Sequence, residues 1–337
     1  MTTLLFEHGV PEEYVPAHWL IGAKTRMVDT WTPQLEMLRL PPIREKAGRI
    51  RVLAEEGTSR CDRRAAWLEP KPFPIDTPVL DLRFDGNDNI AHTLHRMALY
   101  AVLCEQVASK RGLAKPTVVM RKGAKPYCLE AMRLFGAEVL CTNRPVMGKL
   151  WRVECDGHLT ELRLGDRYLR PLLDLEPRPQ DPTKVYLSRR GARSVTNDDD
   201  GQAFLAEKGY QTLHLEDLPV AAQIRTVVNA THIVAIHGAA TAALTLRCPI
   251  QRTPLAMTEV FGSYIVSGNR MVVHRIGGSW AGVRGVLNPK ATRNEQRGGP
   301  PRAYQAAPFE VDLDALDCAL QCSASDGVLP EKEWILG

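Results

Sequence analysis

Residues 232–246, HIVAIHGAATAALTL, carry the pattern that decides the fold of the second half of the chain. The apolar run predicts a buried strand over His232–Ile236, His237 and Gly238 predict a turn, and Ala239–Leu246 predicts a helix. A strand that passes through a glycine turn into a helix is one unit of a parallel α/β sheet. The alternative is a tight strand-to-helix turn in which the histidine only fills a structural role.

The same alternation of strands and helices continues on both sides of this segment. In the second half, strands are predicted at 184–188, 212–215, 255–260 and 271–276, and helices at 198–208, 219–229 and 312–322. In the first half, strands are predicted at 79–84, 117–120, 137–141 and 150–154, and helices at 90–110 and 126–135. Two runs of βαβ units therefore predict two Rossmann-like lobes, whose sheets meet across a ligand cleft.

A proline-rich segment separates the two runs. Residues 176–182, EPRPQDP, contain three prolines and cannot continue a helix or a central strand. We therefore expect an N-terminal α/β lobe over 1–176, a C-terminal α/β lobe over 184–310, and a C-terminal helix and tail over 311–337. The alternative is a long surface loop inside one domain. Residues 1–75 are weakly patterned, although 50–54 can form a strand, and 285–305 read as a loop.

Composition narrows the class of protein. The net charge is +4 over 337 residues, which is too small to argue for nucleic-acid binding. The beginning of the sequence does not read as a secretory signal, and no long apolar run predicts a membrane span. The eight cysteines form no C-x-x-C pair and read as reduced thiols. We expect a cytoplasmic protein, and a peripheral role at the inner face of a membrane is compatible with these features.

An anion site is predicted where several strands of the second half end. Helix starts present free N–H groups, and small residues let a ligand approach the backbone, as after His237. Arginine forks match phosphate oxygens, and a carboxylate at a strand end can accept ribose hydroxyl groups. The candidate residues are Ser188, Arg189, Arg190, Arg193, His237, Gly238, Ala239, Ala240, Thr241 and Glu259. Solvated arginines and a salt-bridged glutamate are the alternatives.

A second candidate site opens the long helix of the first half. Asp88 and Asn89 lie in a turn, and His92 and His95 are three residues apart on one helical face. A histidine here can act as a general base on an acceptor hydroxyl, and His92, nearer the turn, is the better candidate. Two histidines without a third ligand do not indicate a metal site. Packing histidines are the alternative.

Several of these segments, in this order, resemble the family 61 glycosyltransferases. The matching motifs are Asn89-Ile90-Ala91-His92, Ser188-Arg189-Arg190 with Arg193 and Asn197-Asp198, Gln223-Ile224, His237-Gly238-Ala239, and Glu259 followed by Tyr264. The resemblance covers about 78–276. It adds Gln223 and Tyr264 to the expected donor residues and implies that Asp198-Asp199-Asp200 is a helix start rather than a metal-binding D-x-D motif.

The resemblance implies a GT-B architecture and an inverting transfer that needs no metal ion or other cofactor. The second lobe would bind the donor, most simply a UDP-sugar. The first lobe would bind a glycan or glycolipid acceptor, with His92 and Asp88 in the catalytic role and Asn89 and His95 on the acceptor side. The transferred unit would be a hexosyl, pentosyl or N-acetylhexosaminyl group, and bacterial surface polysaccharide synthesis would be its setting. An inactive nucleotide-binding scaffold protein and a GT-B-like sugar-nucleotide epimerase are the rival functions.

Overall fold

The computed structural model describes residues 2–5, 14–21, 26–27, 30–31, 36–44, 50–59, 71–155, 177–247, 254–262, 268–287 and 306–324. The strands are β1 (Thr2–Leu5), β2 (Tyr14–Ile21), β3 (Arg26–Met27), β4 (Thr30–Trp31), β5 (Glu36–Arg44), β6 (Ile50–Thr58), β7 (Phe73–Pro74), β8 (Val79–Asp81), β9 (Thr117–Met120), β10 (Glu138–Cys141), β11 (Val146–Cys155), β12 (Lys184–Leu187), β13 (Gln211–Leu213), β14 (His232–Ile236), β15 (Ala256–Phe261), β16 (Ser279–Arg284), β17 (Val286–Leu287) and β18 (Phe309–Glu310).

In the described part of the chain, seven α-helices alternate with these strands, and three further segments are π- or 3₁₀-helical. The α-helices are α1 (Ile90–His92), α2 (Ala98–Lys110), α3 (Pro126–Leu134), α4 (Asp198–Glu207), α5 (Val220–Asn229), α6 (Gly268–Arg275) and α7 (Leu313–Ala324). A π-helical turn over Thr93–Met97 joins α1 to α2, and 3₁₀-helices cover Leu215–Asp217 and Ala239–Leu246. The mixed α/β class predicted from the sequence is confirmed. Among the described residues, no helix has the length and apolar character needed to cross a bilayer.

The chain divides into two compact units, each made of separate stretches of sequence. The first comprises 1–13, 45–175 and 219–224, and the second 14–44, 176–218 and 225–337. The strand order of the first sheet is β1-β6-β11-β8-β9-β10, with β7 paired to β11. Its β11, β8, β9 and β10 are mutually parallel, whereas β1 and β6 pair antiparallel.

The second unit is built on a sheet with the order β13-β12-β14-β15-β16-β2-β5. All neighbouring pairs from β13 to β2 are parallel, and β5 closes the edge antiparallel to β2. One apolar core includes Val234 and Ile236 of β14 together with Ala315, Leu316 and Ala319 of α7. The core fixes the strands, so their carboxyl ends present loops at one edge of the sheet.

Most predicted elements lie within a few residues of their observed bounds, but the strand at 271–276 is wrong. This segment belongs to helix α6, and the strand beside β15 is Ser279–Arg284, which the sequence analysis missed. Val272 and Val273 have a high strand propensity, yet both are buried within α6. Tertiary burial therefore outweighs the intrinsic preference of β-branched residues.

The helix predicted at Ala239–Leu246 is present, but its turns are of the tighter 3₁₀ type. Two threonine hydroxyls donate to carbonyls three residues earlier, Thr241 to Gly238 at 3.1 Å and Thr245 to Ala242 at 3.0 Å. Small residues make this tight packing possible: Ala242 and Ala243 are both buried. The tight helix holds the segment after Gly238 against the protein interior.

Candidate functional site

The turn His237–Gly238 lies at the carboxyl end of β14. The backbone N–H of His237 still donates to Val260 of β15 at 2.8 Å, which fixes the histidine to the sheet edge. Gly238 has an extended backbone conformation (φ 164°), which any residue type can adopt. A Cβ built at this position would nevertheless overlap Nη1 of Arg189. The absence of a Cβ at this position therefore allows the close approach of the Arg189 guanidinium, and the backbone angle does not demand glycine.

Two arginines from the loop after β12 meet at this turn. Nη1 of Arg193 donates to the carbonyl of His237 at 3.3 Å, and Nη1 of Arg189 lies 3.5 Å from the same oxygen. Burial lowers the pKa of Arg189, the charge of Arg193 lowers it further, and Glu216 opposes these effects. Two neighbouring guanidinium groups in a half-buried site repel each other, so an anion that binds between them is favoured.

Arg193 is held in a constrained loop. It adopts a left-handed backbone conformation (φ 62°), which is uncommon for a residue other than glycine. Its backbone N–H donates to Ala306 at 3.0 Å. A non-glycine residue in this region costs about 1–3 kcal/mol, and such residues concentrate at ligand sites. The loop thus directs the Arg193 side chain to the His237 carbonyl at some cost to stability.

The His237 ring is held by a buried carboxylate. Its Nδ1 lies 2.6 Å from Oε1 of Glu259, and Glu259 has no exposed surface. The ring also stacks on Phe261, with 4.9 Å between ring centroids and 20° between ring planes. A carboxylate that accepts from Nδ1 fixes the tautomer and directs Nε2 away from Glu259.

Two further donors bind the same carboxylate. Nδ2 of Asn269 donates to Oε1 of Glu259 at 2.6 Å, and Nε1 of Trp280 donates to Oε2 at 3.0 Å. Nδ2 of Asn269 also lies 2.8 Å from Oγ1 of Thr241, which connects the start of the 3₁₀-helix to this group. Sequence analysis missed Asn269 and Trp280, because the strand wrongly predicted at 271–276 left both outside any recognised element.

Ser188 belongs to a separate hydrogen-bond network. Its hydroxyl donates to Oδ2 of Asp198 at 2.8 Å, and the hydroxyl of Tyr186 donates to Oδ1 at 2.6 Å. Gln202 donates to the same carboxylate at 2.6 Å. Burial raises the pKa of Tyr186, and its bond to Asp198 raises it further. Asp198 thus fixes the start of the arginine loop to helix α4. Within the described residues, no cluster of three potential metal ligands occurs.

The other predicted donor residues lie in different surroundings. Arg190 forms an exposed ion pair with Asp217, at 2.9 Å from each carboxylate oxygen. Gln223 is half-buried on α5, and Ala239 and Ala240 are half-buried at the start of the 3₁₀-helix. Tyr264 lies outside the described residues. The structure therefore brings together Arg189, Arg193, His237, Gly238, Thr241 and Glu259.

In the first unit, the predicted turn precedes the long helical segment. The side chain of Asn89 caps the helix by accepting from the N–H of Ala91 at 2.9 Å, and the carbonyl of Asp88 accepts from the Tyr127 hydroxyl at 2.7 Å. The half-buried His92 ring packs against Gly86, where an added Cβ would lie 3.1 Å from Cδ2 of the ring. His95 follows within the π-helical turn, a feature frequent at functional sites.

A comparison with models of known protein families matches the part of the chain that contains these motifs. The model of the family described as Glycosyltransferase 61 matches residues 58–249, which is more than half of the chain. The chain belongs to glycosyltransferase family 61. It is therefore a glycosyltransferase, an enzyme that takes a glycosyl donor and an acceptor. The matched range includes His92, the arginine loop and the His237 turn. No curated protein matches the chain at a significant level.

Proposed function

We propose that this family 61 glycosyltransferase transfers a hexosyl, pentosyl or N-acetylhexosaminyl unit from a UDP-sugar to a glycan or glycolipid, with inversion and without a metal ion. The observation that carries the proposal is the convergence of Arg189 and Arg193 on the carbonyl of His237. A UDP-sugar releases a diphosphate, whose developing negative charge must be neutralised in the transition state. Two guanidinium groups beside an accessible backbone turn provide that neutralisation without Mg²⁺.

His237 completes the proposed diphosphate site. Because Glu259 accepts from Nδ1, an imidazolium would present its second N–H, at Nε2, to a phosphate oxygen. Glu259 itself has both oxygens in hydrogen bonds with protein donors and no exposed surface. We therefore propose Glu259 as a positioning residue for His237. A ribose contact, the role expected from the sequence, would require one of these bonds to open.

His92 is the proposed general base. It removes the proton from an acceptor hydroxyl as that oxygen attacks the anomeric carbon of the sugar. The bond between the anomeric carbon and the diphosphate breaks, and its electron pair goes to the UDP oxygen that the arginines face. Attack from the face opposite the diphosphate inverts the anomeric centre. A GT-B arrangement, with donor in the second unit and acceptor in the first, is part of the proposal and is supported by family membership.

Calorimetric titration with UDP tests the donor site. We expect Arg193→Ala and Arg189→Ala each to weaken UDP binding by about tenfold or more, since a hydrogen bond to a charged group contributes ~1.5–3 kcal/mol. Arg190→Ala should have a smaller effect, because Asp217 already compensates its charge. Lys208→Ala is the control, because Lys208 is a cation of the same unit that pairs with Asp317. Equal affinities in all five proteins would refute the donor assignment.

Turnover separates the rival functions. Wild type that binds UDP but transfers sugar to no acceptor would indicate an inactive nucleotide-binding scaffold protein. Conversion of the UDP-sugar without any acceptor would indicate an epimerase. His92→Ala should abolish transfer while UDP affinity stays at the wild-type value, and transfer at the wild-type rate would exclude His92 as the base.

A further inference from the structure

The first unit contains a cavity of about 790 Å³ beside the His92 turn. Its volume falls within the range of ~300–1,000 Å³ typical of sites for small organic ligands. The walls come from strands β6, β8 and β11, the loop after β8, and the helical segment that follows His92. Asp85 of the cavity wall is adjacent in sequence to Gly86, where an added Cβ would lie 3.1 Å from the His92 ring. The cavity and the proposed base are therefore neighbours within one unit.

Electrostatics support this proximity. Burial raises the pKa of Asp85, and among the smaller influences Arg96 and His92 lower it while Asp81 raises it. His92 therefore acts electrostatically on a carboxyl group that lines the cavity. A hydroxyl of a ligand bound beside Asp85 would lie near the group that we propose as its base.

The cavity wall combines aromatic surface with polar groups. Phe84 lines it with 55% of its surface exposed, and Trp151 lines it while almost fully buried. The Nε1 of Trp151 has no hydrogen-bond partner among the described residues. Sugar rings present C–H groups that pack on aromatic faces and hydroxyls that pair with polar atoms. The combination matches a carbohydrate better than it matches a purely apolar ligand.

Charge pairing in the wall bears on the kind of sugar. Among the described residues, the two arginines that line the cavity each pair with a carboxylate, Arg96 with Asp85 at 2.7 Å and Arg152 with Glu154 at 2.7 Å. Glu55 also lines the cavity and has no ion-pair partner among the described residues. An anionic sugar would thus meet one unpaired carboxylate and arginines whose charge is compensated. An uncharged sugar would find hydrogen-bond acceptors without that repulsion.

We propose that this cavity binds an uncharged sugar residue of the acceptor, with Phe84 as a stacking surface and Glu55 as a hydroxyl acceptor. The inference rests on the proposed transferase function and specifies the acceptor for it. Arg121 does not line the cavity, but its guanidinium lies 5.8 Å from the centroid of the Phe84 ring.

Direct binding of uncharged disaccharides tests the cavity. The probes are lactose, cellobiose and N,N′-diacetylchitobiose, with digalacturonate as the anionic comparison, each titrated against the full chain by ligand-observed NMR. We expect Phe84→Ala and Glu55→Gln each to weaken binding of the best uncharged probe by about tenfold, equivalent to ~1.4 kcal/mol. The matched controls are Phe73→Ala and Glu56→Gln. Phe73 is another exposed aromatic residue of this unit. Glu56 follows Glu55 on β6, so its side chain points to the opposite side of the strand. Neither residue lines the cavity.

The outcomes separate this inference from the donor assignment. Equal effects of the cavity and control variants, tighter binding of digalacturonate than of every uncharged probe, or no binding of any uncharged probe would overturn it. UDP affinity is measured on the same proteins. Loss of UDP binding with retained, cavity-dependent disaccharide binding would contradict the donor site alone, whereas intact UDP binding with cavity-independent disaccharide binding would contradict the cavity alone.

Discussion

Nδ1 of His237 lies 2.6 Å from Oε1 of Glu259, and the glutamate has no surface exposed to solvent. Asn269 and Trp280 donate to the same carboxylate. A carboxylate that accepts hydrogen bonds from three donors keeps the Nδ1 proton on the histidine. In the neutral ring, Nε2 is then an acceptor, so His237 can donate to a phosphate only after it binds a proton.

The first prediction concerns this proton. Because a phosphate oxygen would accept from Nε2 while Glu259 accepts from Nδ1, we expect UDP binding to the wild type to be coupled to the uptake of a proton at Nε2 of His237. In Glu259→Gln the side-chain amide can donate to Nδ1 of His237, so the neutral ring carries its proton on Nε2. Nε2 can then donate to a phosphate oxygen, and UDP binding should no longer take up a proton at His237. Calorimetry in buffers of different ionisation enthalpy measures the number of protons. An identical proton uptake in wild type and Glu259→Gln would contradict the positioning role.

The second prediction concerns the close approach at Gly238. In Gly238→Ala the new methyl group would overlap Nη1 of Arg189, while the extended backbone tolerates alanine. Because the end of a flexible side chain gives way easily, we expect little change in melting temperature but a loss of UDP affinity of about tenfold, or ~1.4 kcal/mol.

Gly201→Ala is the matched control for Gly238→Ala. Gly201 lies within α4, and a Cβ built there meets nothing within 4 Å. Alanine in a helix stabilises it by roughly 0.5–1 kcal/mol relative to glycine, so this variant should keep its UDP affinity and melt at the same or a higher temperature. A wild-type UDP affinity in Gly238→Ala would show that the contribution of Arg189 to UDP binding does not require the absence of a side chain at position 238.

The third prediction concerns a buried ion pair of the first unit. The Arg83 side chain has only 2% of its surface exposed, and it forms two bonds with Asp81, of 2.9 and 2.6 Å. It also donates to the hydroxyl of Ser59 at 2.7 Å and to the carbonyl of Arg144 at 2.6 Å. We expect Arg83→Ala to lower the free energy of unfolding by about 3–5 kcal/mol, because Asp81 loses a buried cation to which it is paired.

Lys115→Ala measures the contribution of a surface pair for comparison. Lys115 and Glu105 lie 2.9 Å apart with about a third of each side chain exposed, so the loss should be ~0–1 kcal/mol. Urea denaturation of both variants gives the two values. A loss in Arg83→Ala no larger than that in Lys115→Ala would show that burial adds nothing to the Asp81–Arg83 pair.

Sequence patterns located the strands of both sheets that carry the candidate residues. The strands Thr117–Met120 and His232–Ile236 were predicted with their observed bounds, because each is a continuous apolar run that ends at a turn. The arginine loop and His237 were placed at strand ends for the same reason, whereas Glu259, predicted at a strand end, lies within β15. These predictions needed only local periodicity.

Other features depended on contacts between distant residues. The hydrogen bond from Trp280 to Glu259 joins two strands whose pairing is not specified by any local sequence pattern. The sequence of α6 has the local pattern of a strand, and only the burial of Val272 and Val273 in the folded protein accounts for the helix. The pairing of Arg190 with Asp217, in contrast to the approach of Arg189 and Arg193 to His237, depends on side-chain direction in an irregular loop. Residue type alone could not separate these three arginines.

Strand β2 pairs with β16, so that His18 lies opposite Ala281 although about 260 residues separate them in the chain. During synthesis on the ribosome, β2 and β5 leave the exit tunnel long before β16 has been synthesised. Until then, the edge of β2 that pairs with β16 has no partner strand. Such distant pairing slows folding and exposes strand edges in the meantime. A fragment that starts after the proline-rich segment would lack β2, and its sheet would end at β16 with an unpaired edge. Expression of the second unit alone therefore requires residues 14–44, either supplied as a separate peptide or fused to its carboxyl end.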